Sequence, residues 1–164
     1  LHDAGISTIF HTYAFFIDKN SKYITPVPSK DLAYARTFTL AQPLNETDTE
    51  VLVKETTENI STVIGFHTEN SVTLRIGDEL ITFNGVTQTP PYKFTGLERG
   101  ANGTKPSSHN ANEEVFHLSE RFGRFVPNPE SELFNRIARR HAEIVTCRRR
   151  KFLVLRYKIC IRNS

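Results

Sequence analysis

Methionine and tryptophan are absent from this chain, and cysteine occurs only at Cys147 and Cys160. Nor is there a long apolar run: a membrane-spanning helix needs about 20 predominantly apolar residues, and no stretch approaches that. Two cysteines so spaced form neither a disulfide framework nor a zinc site, and they read as unpaired thiols. There is no H-E-x-x-H and no C-x-x-C. His2, His67, His109, His117 and His141 share no ligand spacing, so neither metal nor cofactor is expected. The G-x-S-x-G elbow of serine hydrolases is missing too. The opening LHDAGISTIFHTYAFFI carries no basic segment before its apolar stretch and does not read as a secretory signal. Without an initiating methionine, the chain reads as a fragment or a processed product. Its 164 residues, 38% of them hydrophobic, suit one ordinary domain or two small pieces.

Positive charge is plentiful at one end only. Residues 148–164 hold Arg148, Arg149, Arg150, Lys151, Arg156, Lys158 and Arg162 and no acid; taking these seven charges from the net +3 leaves −4 for residues 1–147. The body is mildly acidic, so no nucleic-acid partner is expected from it. The tail fits three descriptions: a nucleic-acid contact with Phe152 and Tyr157 among arginines, a buried strand FLVLRYKICI with a charged edge, or a chain end foreign to the fold.

Periodicity divides the rest. IFHTYAFFI, after Gly5 as a helix terminator, reads as a strand buried on both faces, and Pro26 and Pro28 impose extended backbone on the loop that follows. From residue 36, six short runs alternate with period two: 37–42, 49–55, 71–76, 79–84, 92–97 and 113–118. Val51 and Val53 share one face, as do Val72, Leu74 and Ile76. Gly77-Asp78 signals a hairpin and Asn84-Gly85 another turn. This spacing predicts an antiparallel β-barrel or sandwich that folds as an independent unit over residues 36–118. The period becomes helical over 128–145, where Leu133, Phe134, Ile137, Ala138, Ile144 and Val145 share a face, with Asn128 as N-cap and Pro129 at the first helical position. The expected fold is therefore α+β and mainly β: a partial β/α segment at 1–35, the β-module at 36–118, a loop and amphipathic helix at 119–147, and the basic tail at 148–164.

LERGANGTKPSSH, residues 97–109, invites a phosphate-loop reading. That motif requires G-x-x-x-x-G-K-[ST] between a strand and a helix. Here Thr104 and Lys105 stand in reverse order after Gly103, Glu98 occupies the position of the first glycine, and Pro106 follows. A structural turn accounts for each residue instead. Gly100 and Gly103 permit positive φ, Asn102 tolerates it, and Thr104 belongs to the same turn. Arg99 can reach turn carbonyls or a carboxylate such as Glu79, and His109 closes the turn.

The pattern G-D-E-L-I (77–81), L-x-R-G-x-x-G-T-x4-H (97–109) and a strand at 113–118 resembles a small β-barrel module of phage tail and baseplate proteins, also found inserted in larger bacterial proteins. Asn112 stands where such modules often carry glycine, and the turn is expected to be kept. The flanks GISTIFHTYAFFI, YITPVP and FGRFVPNPESELFNRIARRHAEIV resemble bacterial glycoside-hydrolase-like proteins with a (β/α)8 barrel. That resemblance implies a carbohydrate-active parent, periplasmic or extracellular, with a polysaccharide or oligosaccharide as partner and no membrane contact. It also implies a barrel strand after the helix ending in a catalytic carboxylate, whereas the tail found there has no acid. The chain alone is expected to be inactive. A non-enzymatic β-module of phage-tail or carbohydrate-binding type is the alternative.

At the end of the opening strand, His11 and Tyr13 suit sugar hydroxyls if the strand belongs to a barrel, and suit ordinary core packing otherwise. Tyr23 has a weaker claim. Asp3, Asp18, Asp31 and Glu55 show no pairing of the kind that sugar hydrolysis needs, so no catalytic residue is assigned.

Overall fold

The computed structural model describes residues 15–65 and 69–147. His11, Tyr13, Asp3 and the basic tail lie outside them. In chain order the described elements are β1 (Tyr34–Thr39), β2 (Glu50–Leu52), β3 (Thr73–Ile76), β4 (Glu79–Thr82), β5 (Gly85–Val86), β6 (Lys93–Thr95), β7 (Glu114–Leu118), β8 (Glu120–Arg121), β9 (Arg124–Phe125) and the helix α1 (Glu132–Cys147). The fold is mainly β, with antiparallel sheets, one α-helix and a short 3-10 turn at Ala101–Gly103 among the described residues.

Each of the six alternating runs supplies a strand. Four form a sheet in the order β1-β7-β3-β4, and a second sheet runs β2-β6-β5. The β3–β4 hairpin turns on Gly77-Asp78, with Ile76 opposite Glu79 and Gly77 at φ 54°. Asn84-Gly85 is not a hairpin turn. There the chain leaves the first sheet and joins the second, with the Asn84 N–H donating to the Thr95 carbonyl at 3.1 Å and Gly85 paired with Thr95. The two sheets do not close into a barrel. They are tied at their corners by isolated bridges, Leu40 with Val53 and Thr82 with Glu98.

The sheets share a core because the period-two faces point at each other. Phe38, Leu74, Ile76, Ile81 and Val115 from the first meet Val51 and Phe94 from the second. Phe94 lies edge-on to Phe38 at 5.3 Å and tilted against Phe83 at 4.7 Å, geometries that the ring quadrupole favours.

A second core covers the other face of the four-stranded sheet. Leu80 and Leu118 meet Ile17, Ile24 and Leu32 of the opening segment, Phe125 of β9, and Leu133 and Ile137 of α1. Every residue of β3 is therefore buried. The expected module boundaries at 36 and 118 pass through this shared core, and β1 itself begins at Tyr34. Of the expected opening strand, residues 15–17 are described, and only Ile17 among them is bridged, to Phe125.

The helix begins later than its period suggests, at Glu132. Ser131 is the N-cap: its Oγ accepts the Phe134 N–H at 3.3 Å. Asn128 instead accepts the Glu130 N–H at 3.1 Å, closing a turn ahead of the helix. The side chain of Asp31 takes a further free donor, the Leu133 N–H, at 3.3 Å.

Candidate functional site

Two polar features stand out, and the strand register builds both. The first surrounds Glu79, at the start of β4 and wholly buried. Arg99 grips its carboxylate with Nε and Nη2, each at 2.8 Å. The Gly100 and Ser107 N–H groups donate at 3.0 and 3.1 Å, and His109 Nε2 lies 2.9 Å away. Burial pushes the pKa of Glu79 up, but hydrogen bonds from His109, Arg99, Ser107 and Gly100 outweigh it and hold it at about 2, against an ordinary 4.5. Arg99 also donates to the carbonyls of Asn45 and Ser107. The other ring nitrogen of His109 faces Glu113 at 3.2 Å. Hydrogen bonds from Asn110, ahead of an opposing burial effect, and the contact with His109 hold Glu113 below the ordinary range.

The glycine loop folds around this carboxylate. Gly100 and Gly103 have φ 64° and 79°, and Asn102 has φ 54°. Thr104 Oγ1 accepts the Leu80 N–H at 3.0 Å and donates to the Ala101 carbonyl at 2.9 Å. Thr25 Oγ1 donates to the Gly103 carbonyl at 3.1 Å. Asn112 holds the turn before β7 at φ 72°, a conformation that asparagine adopts more readily than most residues with a β-carbon. The loop donors thus point at a carboxylate of the chain itself. Among the described residues no α-helix starts behind them: the loop holds only a 3-10 turn, Ala101–Gly103, and α1 begins at Glu132.

The second feature is an open groove of about 590 Å³ on the face of β3 and β7 not used by the inter-sheet core. Arg75 pairs with Phe116 across the strands, and its guanidinium lies 4.5 Å from the centre of that ring. Tyr34, half exposed, packs its ring 5.0 Å from Phe116. Lys30, Asp78, Glu113 and Glu114 complete the lining. Arg75 is 6% exposed, and among the described residues only its Nη1 finds a hydrogen-bond partner, the Gly77 carbonyl at 3.2 Å. Its Nε is buried without a partner. Burial lowers the pKa of Arg75, against the fields of Asp78, Glu114 and Tyr34.

The remaining acids named from the sequence are dispersed. Asp18 pairs with Arg124 and accepts the Asn20 N–H, Glu55 accepts from the backbone and hydroxyl of Thr39 at 2.7 and 2.8 Å, and Asp31 supports the helix. Tyr23 is half-buried against the second core. Among the described residues, no three His, Cys, Asp or Glu side chains are placed to hold a metal ion, and no helix is long and apolar enough to cross a membrane.

The sequence pointed to Arg99, Gly100, Gly103, Thr104 and His109, which the structure gathers around Glu79. It missed the groove. The one signal was Arg75 itself, a cation in the midst of Leu74 and Ile76 whose surroundings depend on what covers the far face of the sheet. Comparison with protein-family models, with curated proteins and with solved structures returned no match.

Proposed function

We propose that the chain is a non-enzymatic β-module of a carbohydrate-active, glycoside-hydrolase-like protein, inactive as a catalyst by itself. The observation that supports this reading is the state of Glu79. A glycosidase needs a carboxylic acid that keeps its proton near neutral pH, and a second carboxyl group about 5–10 Å away. Glu79 is held the other way, with its pKa at about 2. Every hydrogen-bonding position on its carboxylate is taken by the chain's own donors. Glu120, the other buried carboxylate among the described residues, is likewise engaged, by Ser71 at 2.8 Å, Thr73 at 3.0 Å and Lys19 at 2.8 Å. Both acids hold loops and strands together.

In this reading, residues 15–35 and 119–147 are the connection to a parent barrel, and the parent works on polysaccharide outside the cell or in the periplasm. The test is incubation of the purified chain with aryl-glycosides and polysaccharides. The expected rate is that of buffer. Turnover above it that disappears in Asp78→Asn or Glu114→Gln, both at exposed positions, overturns the proposal.

A further inference from the structure

We infer that the groove beside β3 and β7 is a binding site for a neutral saccharide, seated against the Tyr34–Phe116 pair with its hydroxyls spanning Arg75 and the rim carboxylates. The inference rests on the reading above only in that a carbohydrate-active parent brings sugar to this surface. The site stands on its own geometry.

Arg75 is the feature that needs an explanation. A nearly buried cation is costly unless it is paired and fully hydrogen-bonded, yet no carboxylate lies within ion-pair distance of it among the described residues, and one hydrogen bond at 3.2 Å is all its guanidinium makes. The aromatic face of Phe116 offsets part of that cost. Nε is closed off from the groove, so a ligand oxygen at Nη2 supplies part of what the fold does not.

The neighbours specify the kind of ligand. Among the described residues, no hydrogen bond engages the side chains of Lys30, Tyr34, Asp78 or Glu114. The groove thus offers donors at Arg75, Lys30 and the Tyr34 hydroxyl, and acceptors at Asp78 and Glu114. A hydroxyl is donor and acceptor at once, so a polyol can satisfy both sets, and the C–H face of a sugar ring matches the apolar surface of Tyr34 and Phe116. The volume, about 590 Å³, lies within the usual range of small-molecule sites. Charge then argues against anions: Lys30 and Arg75 face Asp78, Glu113 and Glu114, leaving the lining one negative charge in excess. A phosphate or a uronate is disfavoured there, and a neutral hexose is not.

The test is a titration of the whole, isotopically labelled chain, followed by amide shifts. The probes are neutral oligomers of glucose, galactose and mannose, a uronate oligomer, and free amino acids. Expected are shifts confined to residues near 30, 34, 75–78 and 114–116, with a neutral oligomer binding at millimolar affinity or tighter. Tyr34→Ala should weaken it at least tenfold and Asp78→Asn several-fold. Arg75→Met should abolish it while leaving the melting temperature unchanged or higher, because it removes an unpaired buried charge and keeps an apolar stem on Phe116. A structural role for Arg75 would instead lower the melting temperature, and that result overturns the inference. Tighter binding of the uronate or of an amino acid overturns it as well, as does the absence of shifts with every saccharide. Saccharide shifts on another surface overturn the groove and leave the proposed function standing, which the turnover assay decides separately.

Discussion

Glu79→Gln removes one charge and almost no volume, so it isolates the electrostatics of the glycine loop. The carboxylate accepts from Arg99 twice, from Gly100 and Ser107, and contacts His109, all between 2.8 and 3.1 Å. A glutamine has one acceptor oxygen, and its amide nitrogen faces donors with nothing to offer them. The pKa supplies the magnitude. A carboxyl at 4.5 when unfolded and about 2 when folded is a shift of between two and three units. At about 1.4 kcal/mol per unit, that corresponds to roughly 3 kcal/mol. The folded pKa is depressed, so this stability is fully present above the unfolded value and disappears as pH falls from about 5 towards 2. Urea unfolding of wild type and variant across pH 7 to 2 separates Glu79 from Asp18, Glu55 and Glu113, which also lie below their ordinary values, because those groups titrate in both proteins. The variant should be less stable at pH 7 by about 3–5 kcal/mol, the usual cost of stripping one partner from a buried pair and leaving Arg99 uncompensated. The gap should narrow steadily below pH 5. A constant gap at all pH values, or a variant within about 0.5 kcal/mol of wild type at pH 7, would refute the reasoning.

Gly103→Val places a β-carbon at φ 79° and 2.8 Å from Thr25 Oγ1; a loss of roughly 1–2 kcal/mol should appear in calorimetry as a lower melting temperature, with no change in the far-ultraviolet spectrum. A chain trimmed to residues 36–118 uncovers Leu80 and Leu118, both almost wholly buried; at about 1.5–3 kcal/mol per leucine it should melt well below the full chain, and equal melting temperatures would show that the second core adds nothing to the β-module. His117 donates from Nε2 to the Ser71 carbonyl at 2.7 Å, while its Nδ1 is buried without a partner. Burial, with Arg36 adding to it, lowers its pKa from the ordinary 6.5 against the opposing effects of Ser71 and Glu120. The unfolded ring therefore takes up a proton that the folded ring refuses, and stability should fall as pH drops below about 6.5. His117→Gln should flatten denaturation midpoints between pH 7 and 5.5, and an unchanged slope would remove His117 from the account.

Local pattern determined much of this protein. Alternation at 37–42, 49–55, 71–76, 79–84, 92–97 and 113–118 located β1, β2, β3, β4, β6 and β7, because a strand with one buried face must repeat every second residue. Gly77-Asp78 marked its hairpin for a reason equally local, the positive φ that glycine accepts. Leu133 and Ile137 announced the buried face of α1, although a stronger local cap at Ser131 moved its start beyond Asn128. Arg99 and the glycines of 97–109 were legible as a turn, and Glu79 as a partner for the arginine. The tertiary structure alone decided the rest. Two-residue strands such as β5, β8 and β9 carry too few positions to show a period; they exist because a neighbouring backbone pairs with them. Alternation assigns Arg75 and Phe116 to the face opposite Leu74 and Ile76, but it cannot say what covers that face. The opening segment, β9 and α1 bury one part of it and leave the other open. That division makes one region of the sheet a core and the adjoining region a groove with a half-satisfied arginine, and it depends on contacts between residues as far apart in the chain as Ile17 and Ile137.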